Sequence, residues 1–560
     1  MKRRILLCSV LFCSVLFTLA GCSEPAAPPT TPLAVDHAAA PAATPQVEKI
    51  ATGAATGGAN GMHFGPDGLL YVASVFGSEI LAVDPDSGEI RKRLGRAEGV
   101  QGPDDVAFAP DGSFYWTTIL TGEVSGFSAS GELIVAGNVG AGANPITFSD
   151  TGRLFVAQCF FGTGLFELDP AGVKPPRSIA EDLGPNCGLN GMDWGPDGRL
   201  YGPRWFAKEV ISIDVDTGEK RVEATGFNTP AAVKFNSKGE LHVLDTADGT
   251  VLRVGKDGNT VIATLEPGLD NFAFDAKDRL FVSSFVEGFV ARIEADGSVN
   301  KILPGGIAHP GGITTRMIDG KAEVVVADFH SIRGYDPVTG AATFVQKSVF
   351  GVSEMGSILT IAADGANLVL SSFTDNSVRI WDPAVGKVIQ RWDGLAQPVG
   401  VVPYAGGIAV ALHGTCSVVL LGQGESLEDE PVTLAADLGA PTDLVVDGDA
   451  LLVSDRERGV VLKIASAGAA IPAETVISGL AAPEGLAMSP KGLLVVEGES
   501  GRVLLVNKGA AATVAEISKG SPPATPAMPP AMIVNDVVVV GEQLFVTSES
   551  DHALYRVSGY

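Results

Sequence analysis

The sequence predicts an all-β protein of two tandem six-bladed β-propellers, twelve four-stranded blades in all. Three observations predict it: a glycine-rich and weakly charged composition, a hairpin motif that recurs along the chain, and a repeat number that divides into two ordinary rings. The 560 residues include 69 glycines and 35 prolines, with 46% hydrophobic and only 19% charged side chains. Such a chain is too apolar to be disordered and lacks a collagen period, so the glycine excess points to many tight turns. Asp and Glu number 65 against 39 Lys and Arg, a formal charge of −26. A phosphate backbone is repelled by that charge, which argues against a nucleic-acid partner.

Residues 1–21 carry Lys2, Arg3 and Arg4, then an apolar run from Ile5 to Leu19. The tetrapeptide Leu19-Ala20-Gly21-Cys22 resembles the lipobox of a bacterial lipoprotein signal, with an ordinary secretion signal or a short membrane anchor as the alternatives. The resemblance implies cleavage before Cys22 and acylation of that cysteine. Ser23, in place of the Asp that often retains lipoproteins at the inner membrane, implies an outer-membrane anchor facing the periplasm. Residues 22–46 are rich in proline and alanine without apolar periodicity, and are expected to form a semi-extended tether.

The repeat begins after the tether. Its core reads ANGMHFGPDGLLYVA from Ala59, PDDVAFAPDGSFYWT from Pro103 and LNGMDWGPDGRLYGP from Leu189, with weaker copies such as PEGLAMSPKGLLVVE from Pro483. Asp-Gly between apolar runs is a strong hairpin signal, and four short strands in about 40–45 residues make one propeller blade. Twelve copies divide best as two rings of six, since propellers usually close with about 4 to 8 blades, and a division of seven plus five is the alternative. The expected domains are residues 47–297 and 298–560. The last copy ends at Tyr560 without a fourth strand, so Val47–Gly53 and Val299–Leu303 are each expected to open a ring and close its final blade.

The residue before each innermost strand lies at the mouth of a propeller's channel. In the first ring these are Asn60, Asp104, Asn144, Asn190, Ala231 and Asp270; in the second they are Gly311, Ser357, Val399, Thr442, Glu484 and Asn535. Hard cations such as Ca²⁺ take oxygen ligands of the first set's kind, so the first ring is the candidate metal site. The competing reading is that Asn and Asp before a strand bond their own turn backbone. Asp67, Asp111 and Asp197 belong to hairpin turns.

NGMDWGPDGRLYG from Asn190 is similar to the asparagine-bearing segment of the senescence-marker-protein, gluconolactonase and luciferin-regenerating-enzyme family, and PEGLAMSP around Glu484 to its glutamate-bearing segment. The resemblance implies a six-bladed propeller in which Glu, Asn and Asp hold one divalent cation that supports lactone or ester hydrolysis. Asn190 matches the ligand asparagine and Asp270 the aspartate. This sequence departs from the pattern in having Ala231 one blade after Asn190, and in placing Glu484 in the other ring. The blade pattern is shared with NHL-type binding propellers, so a non-catalytic binder of a small molecule or an envelope protein is the alternative to a hydrolase. For the hydrolase, Asp104 and Asp270 are candidates for ligand or base, and Asn60, Asn144 and Asn190 for neutral ligands.

A competing site is predicted in the second ring, where His309, His330, His413 and His552 all fall in loops and Glu484 lies near a mouth. That set resembles, in blade type only, the histidine- and metal-dependent lyase that inactivates streptogramins. Cys159 and Cys187 are the candidates for a disulfide joining adjacent blades, and Cys416 is expected to be buried near a strand end. No nucleophile elbow, phosphate loop, HExxH or CxxC appears, which argues against the commonest hydrolase, nucleotide and zinc classes. The five tryptophans are expected to pack between blades, with Trp205 and Arg204 as candidates for a pocket wall.

Overall fold

The computed structural model describes residues 45–349, 352–422, 431–518 and 534–560. The signal segment, Cys22, nearly all of the tether and the proline-rich insert after Gly520 lie outside them. No helix among the described residues is long and apolar enough to cross a membrane.

Twelve four-stranded antiparallel sheets follow one another along the chain, as the repeat predicts. The first blade shows the pattern: Met62–Phe64, Leu70–Ser74, Glu79–Val83 and Ile90–Leu94, running from the channel outwards. The two middle strands are almost wholly buried and alternate their side chains between the two neighbouring blades, while the outermost strand is exposed. The P-D-G hairpins form as expected. Asp67 accepts the Leu69 N–H, Asp111 that of Ser113 and Asp197 that of Arg199. Gly68, Gly112 and Gly198 supply the positive φ that those turns demand.

Two rings of six close on themselves. Ser283 of the sixth blade donates to the Asn60 carbonyl of the first at 2.7 Å, and Thr547 of the twelfth donates to the Gly311 carbonyl of the seventh at 2.8 Å. The same hydroxyl stitch recurs inside the rings, from Thr117 to Asn144 and from Ser454 to Glu484. Each hydroxyl also accepts the N–H of the second residue of its own blade's mouth, namely Asp105, Asn271, Asp443 and Asp536.

Two expectations are corrected. Val47–Gly53 does not close the first ring: Gln46–Thr52 pairs antiparallel with Ala553–Ser558 and completes the twelfth blade. Val299–Leu303 stays in the sixth blade, paired with Val290–Ile293 through the tight turn at Asp296-Gly297. A local hairpin closes a far shorter loop than a pairing across rings, which favours the sixth blade's own fourth strand, whereas the twelfth blade takes its outer strand from Gln46–Thr52. The second correction concerns the eighth blade. Leu359, not Ser357, takes its mouth position, because the Gly312 N–H donates to the Leu359 carbonyl just as Gly61 donates to Asp104. An irregular loop before Leu359 displaced the alignment by two residues.

Candidate functional site

Asp270, Asn60 and Asp104 are contributed by the sixth, first and second blades, which are consecutive around the closed first ring; Asn144 and Asn190 continue the arc. Their oxygens differ in what they already do. Asn60 Oδ1 accepts the Val75 N–H at 3.1 Å, and Asn190 Oδ1 accepts that of Gly191 at 2.9 Å. Those two behave as turn-stabilising carboxamides, the competing reading of the sequence. Asp104, Asn144 and Asp270 have no side-chain hydrogen bond or ion pair among the described residues.

Asp104 is only 6% exposed. Burial, then the nearby Asp270 and Asp105 carboxylates, hold its carboxyl well above the usual range. Asp270 is pushed up to about 8, by burial first and by Asp105 second. Two neighbouring carboxyls therefore lack compensation, and each is relieved by binding either a proton or a cation.

Asp105, next in the chain to Asp104 and close enough to raise both carboxyls, is a residue that the sequence reading missed. Its oxygens accept the Val106 N–H at 2.9 Å and the Ile146 N–H of the next blade at 3.3 Å. Burial raises it to about 6, opposed by the positive charge of Lys234. Asp105 is thus a blade-to-blade tie. Gly61 leaves room for it: a Cβ there would stand 2.1 Å from Asp105 Oδ1. Asp443 and Asp536 repeat the tie in the second ring, to Leu486 and Ile313. The signal was in the sequence as a polar pair ahead of an apolar strand, Asp104-Asp105, Thr442-Asp443 and Asn535-Asp536, but only its first member was read.

No group of three His, Cys, Asp or Glu side chains that could hold a metal occurs among the described residues. A cation at the first mouth must therefore take carboxamide or backbone oxygens beside Asp104 and Asp270. That is the hard-oxygen chemistry of calcium and not of zinc, so the donor set fits calcium. Asn144 is the carboxamide without a protein partner.

The second-ring histidines do not line an open face. His309 and His330 are buried, with ring centroids 6.1 Å apart, between the rings. Phe76 and Phe285, from first-ring loops, lie 4.7 Å from His309 and 5.0 Å from His330. Burial lowers His309 far below its usual range and His330 to about 3. His552 meets the Ala308 carbonyl at 2.7 Å, while His413 packs on Phe373, 6.1 Å between centroids. Glu484 is committed to structure: its carboxylate accepts the Asn535 N–H at 2.9 Å and Arg456 Nε at 3.3 Å.

The Cys159–Cys187 disulfide is formed and ties the third blade to the loop entering the fourth. Trp116, Trp205, Trp381 and Trp392 are buried between strands, and Trp194 stacks on Phe155.

No known family model matches the chain, and no curated protein matches it. Solved structures do. A streptogramin B lyase is similar at 17% identity and a TM-score of 0.37, over 50% of this chain and 94% of that one. A virginiamycin B lyase from Staphylococcus aureus is similar at 14% identity and a TM-score of 0.31, over 48% and 91%. A "putative gluconolactonase" is similar at 14% identity and a TM-score of 0.36, over 47% and 93%. The fold assignment rests on this chain's own strand pairing.

Proposed function

We propose that the mouth of the first ring binds one divalent cation, calcium by its donor chemistry, and hydrolyses a small lactone or ester there, in a lipid-anchored protein of the bacterial cell envelope. The observation that carries this reading is the pair of buried Asp104 and half-buried Asp270, whose side chains have no hydrogen bond or ion pair among the described residues. When bound, the cation supplies Lewis-acid polarisation of the substrate carbonyl. Asp104 and Asp270 hold it through their carboxylates, with Asn144 as the neutral ligand. One of the two carboxylates would take the proton of the attacking water as its oxygen bonds to the acyl carbon, and return it to the leaving oxygen as the acyl C–O bond breaks, giving an acid and an alcohol from an ester or one hydroxy acid from a lactone. Lys234, itself buried, opposes only in part the upward push of burial on Asp105.

A second reading, a non-catalytic binding propeller, draws support from Asn60 and Asn190, whose carboxamides are already bonded to backbone. Calcium calorimetry and a lactone and ester panel on the mature protein, beside Asp104→Asn and Asp270→Asn, separate the two. Metal-dependent turnover that disappears in the folded variants supports the hydrolase; absence of turnover supports the binder.

A further inference from the structure

This inference rests on the proposed envelope anchor and concerns which surface meets the membrane. In each blade the hairpin joining the first and second strands, and the turn joining the third and fourth, lie on the face opposite the mouth. Ala553–Ser558, the third strand of the twelfth blade, runs away from the mouth, and Gln46 of the entering strand lies opposite Ser558. The tether therefore reaches the fold on the far face of the second ring. Residues 22–45 span at most about 80 Å, so an anchor at Cys22 raises the concentration of that face at the bilayer.

Exposed apolar side chains stand beside this entry point. Val338 is 74% exposed, Met317 66% and Val385 60%, and Ile318 is exposed next to Met317. All four occupy far-face ends of the adjacent seventh and eighth blades. Met317 and Ile318 end the strand Ile313–Ile318, while Val338 and Val385 lie in the turns after Ser331–Tyr335 and Ser377–Asp382. Arg316, next to Met317, stacks on Phe344 of the strand that follows the Val338 turn, at 4.7 Å. The Val338 turn meets the entering strand through Arg556, whose guanidinium donates to the Val338 carbonyl at 2.7 Å and to Glu48 at 2.6 Å.

The turn that carries Val338 is one the first ring also uses. Asp84-Pro85-Asp86-Ser87-Gly88, Asp214-Val215-Asp216-Thr217-Gly218 and Asp336-Pro337-Val338-Thr339-Gly340 share a first carboxylate that accepts the N–H two residues on, at 3.0, 3.0 and 2.9 Å, and a last glycine at positive φ. In the first ring the apex is an acid bonded to an arginine of the preceding blade: Asp86 to Arg292 at 3.3 Å, Asp216 to Arg153 at 2.9 Å. Arg556 takes the place of Arg292, and the two donate alike to the turn's proline carbonyl, at 3.0 and 3.3 Å. An aspartate at 338 would find a ready ion pair, yet a valine stands there in water. The fold gives no reason for that valine; contact with an apolar phase does.

We propose that the far face of the second ring rests on the bilayer surface, with Met317, Ile318, Val338 and Val385 entering the boundary between headgroups and acyl chains. A lipid surface fits better than a protein partner because these are single side chains at strand ends and turns, not a groove, and the tether joins the fold beside them. Docked in this way, the second ring turns its mouth away from the bilayer.

The test holds the mature chain, through an N-terminal His tag, on phosphatidylcholine vesicles carrying a nickel-chelating lipid. It does not depend on acylation of Cys22, and the charge of −26 meets no anionic phospholipid. An NBD fluorophore on Met317→Cys is expected to shift to the blue on tethering, and the same fluorophore on Lys238→Cys, in a first-ring hairpin, is not. Val338→Asp removes the shift at 317, and Val385→Ser reduces it, while the melting temperature is unchanged or raised in Val338→Asp. No shift at 317, an equal shift at 238, or a shift that survives both substitutions overturns the inference, as does a dimer in free solution that already shields residue 317. Failure of the parent reading looks different: Cys22 carries no acyl group in the cell while the tethered chain still docks.

Discussion

Phe76 of the first ring stands 4.7 Å from His309 of the second, edge to face, and this contact joins the two rings. Phe76 also packs against Leu359, Val399 and Phe373, two of which are mouth positions of the second ring. His309 lies on the first-ring turn at Gly57-Gly58, where a Cβ on Gly58 would come within 3.1 Å of Nε2. Ion pairs flank the aromatic centre: Glu287 lies 3.7 Å from Arg333 and 3.6 Å from Lys347, and Lys347 also pairs with Glu266. Phe76 is only partly buried, so its truncation to Ala is expected to cost less than the about 3–5 kcal/mol of a fully buried phenylalanine. Calorimetric unfolding that is one transition in the wild type then separates into two.

The same seam is sensitive to acid. Among the described residues His309 Nε2 is buried without a hydrogen-bond partner, and His330, His552 and Arg333 face it with positive or protonatable groups, Arg333 being paired with Asp328 and Glu287. A histidine lowered in the folded state stabilises above its unfolded value near 6.5, and that stability is lost as pH falls below it. His309→Phe is expected to reduce the acid loss of ring-to-ring docking between pH 6 and pH 4, about the window set by the shift's direction, measured by small-angle scattering.

The carboxyls of the first mouth have the opposite sign. Asp104 and Asp270 are raised on folding, so their contribution is complete below about pH 4 and is lost as pH rises toward the folded value, about 8 for Asp270. In chelator, Asp270→Asn is expected to stabilise the protein at pH 8 by about 1–3 kcal/mol, the order of an uncompensated buried polar group. Thermal melts across pH, with and without calcium, check this; no change in the pH slope contradicts it.

Closure of the second ring by the start of the chain makes a separate prediction. Removing residues 46–52 leaves the twelfth blade with three strands and an open edge. Hydrogen exchange is expected to rise in Ala553–Ser558 and spread to the adjacent seventh and eleventh blades, while the first ring keeps its protection.

The blades were legible because each is specified locally. Asp-Gly turns, strand alternation and spacing all lie within about 45 residues, and every P-D-G turn formed as read. Closure was not legible, because the Gln46–Thr52 strand has no local feature that distinguishes the sixth blade from the twelfth as its partner. The mouth was legible as a position but not as a set of roles. Asn60 and Asp104 look alike in sequence, yet the side chain of one accepts the Val75 N–H and that of the other accepts no hydrogen bond among the described residues. The seam was hidden for another reason: Phe76 reads as an ordinary strand-end aromatic, and its contact with His309 depends on how the rings meet.

The most direct test of the central claim is calcium titration calorimetry of the mature protein in two buffers of different ionisation enthalpy, beside the Asp104→Asn, Asp270→Asn double variant. The account predicts one calcium bound with release of protons from the Asp104 and Asp270 pair at neutral pH, and neither binding nor release in a variant that still folds. No binding by the wild type, or equal binding by the variant, contradicts a cation site at the first-ring mouth.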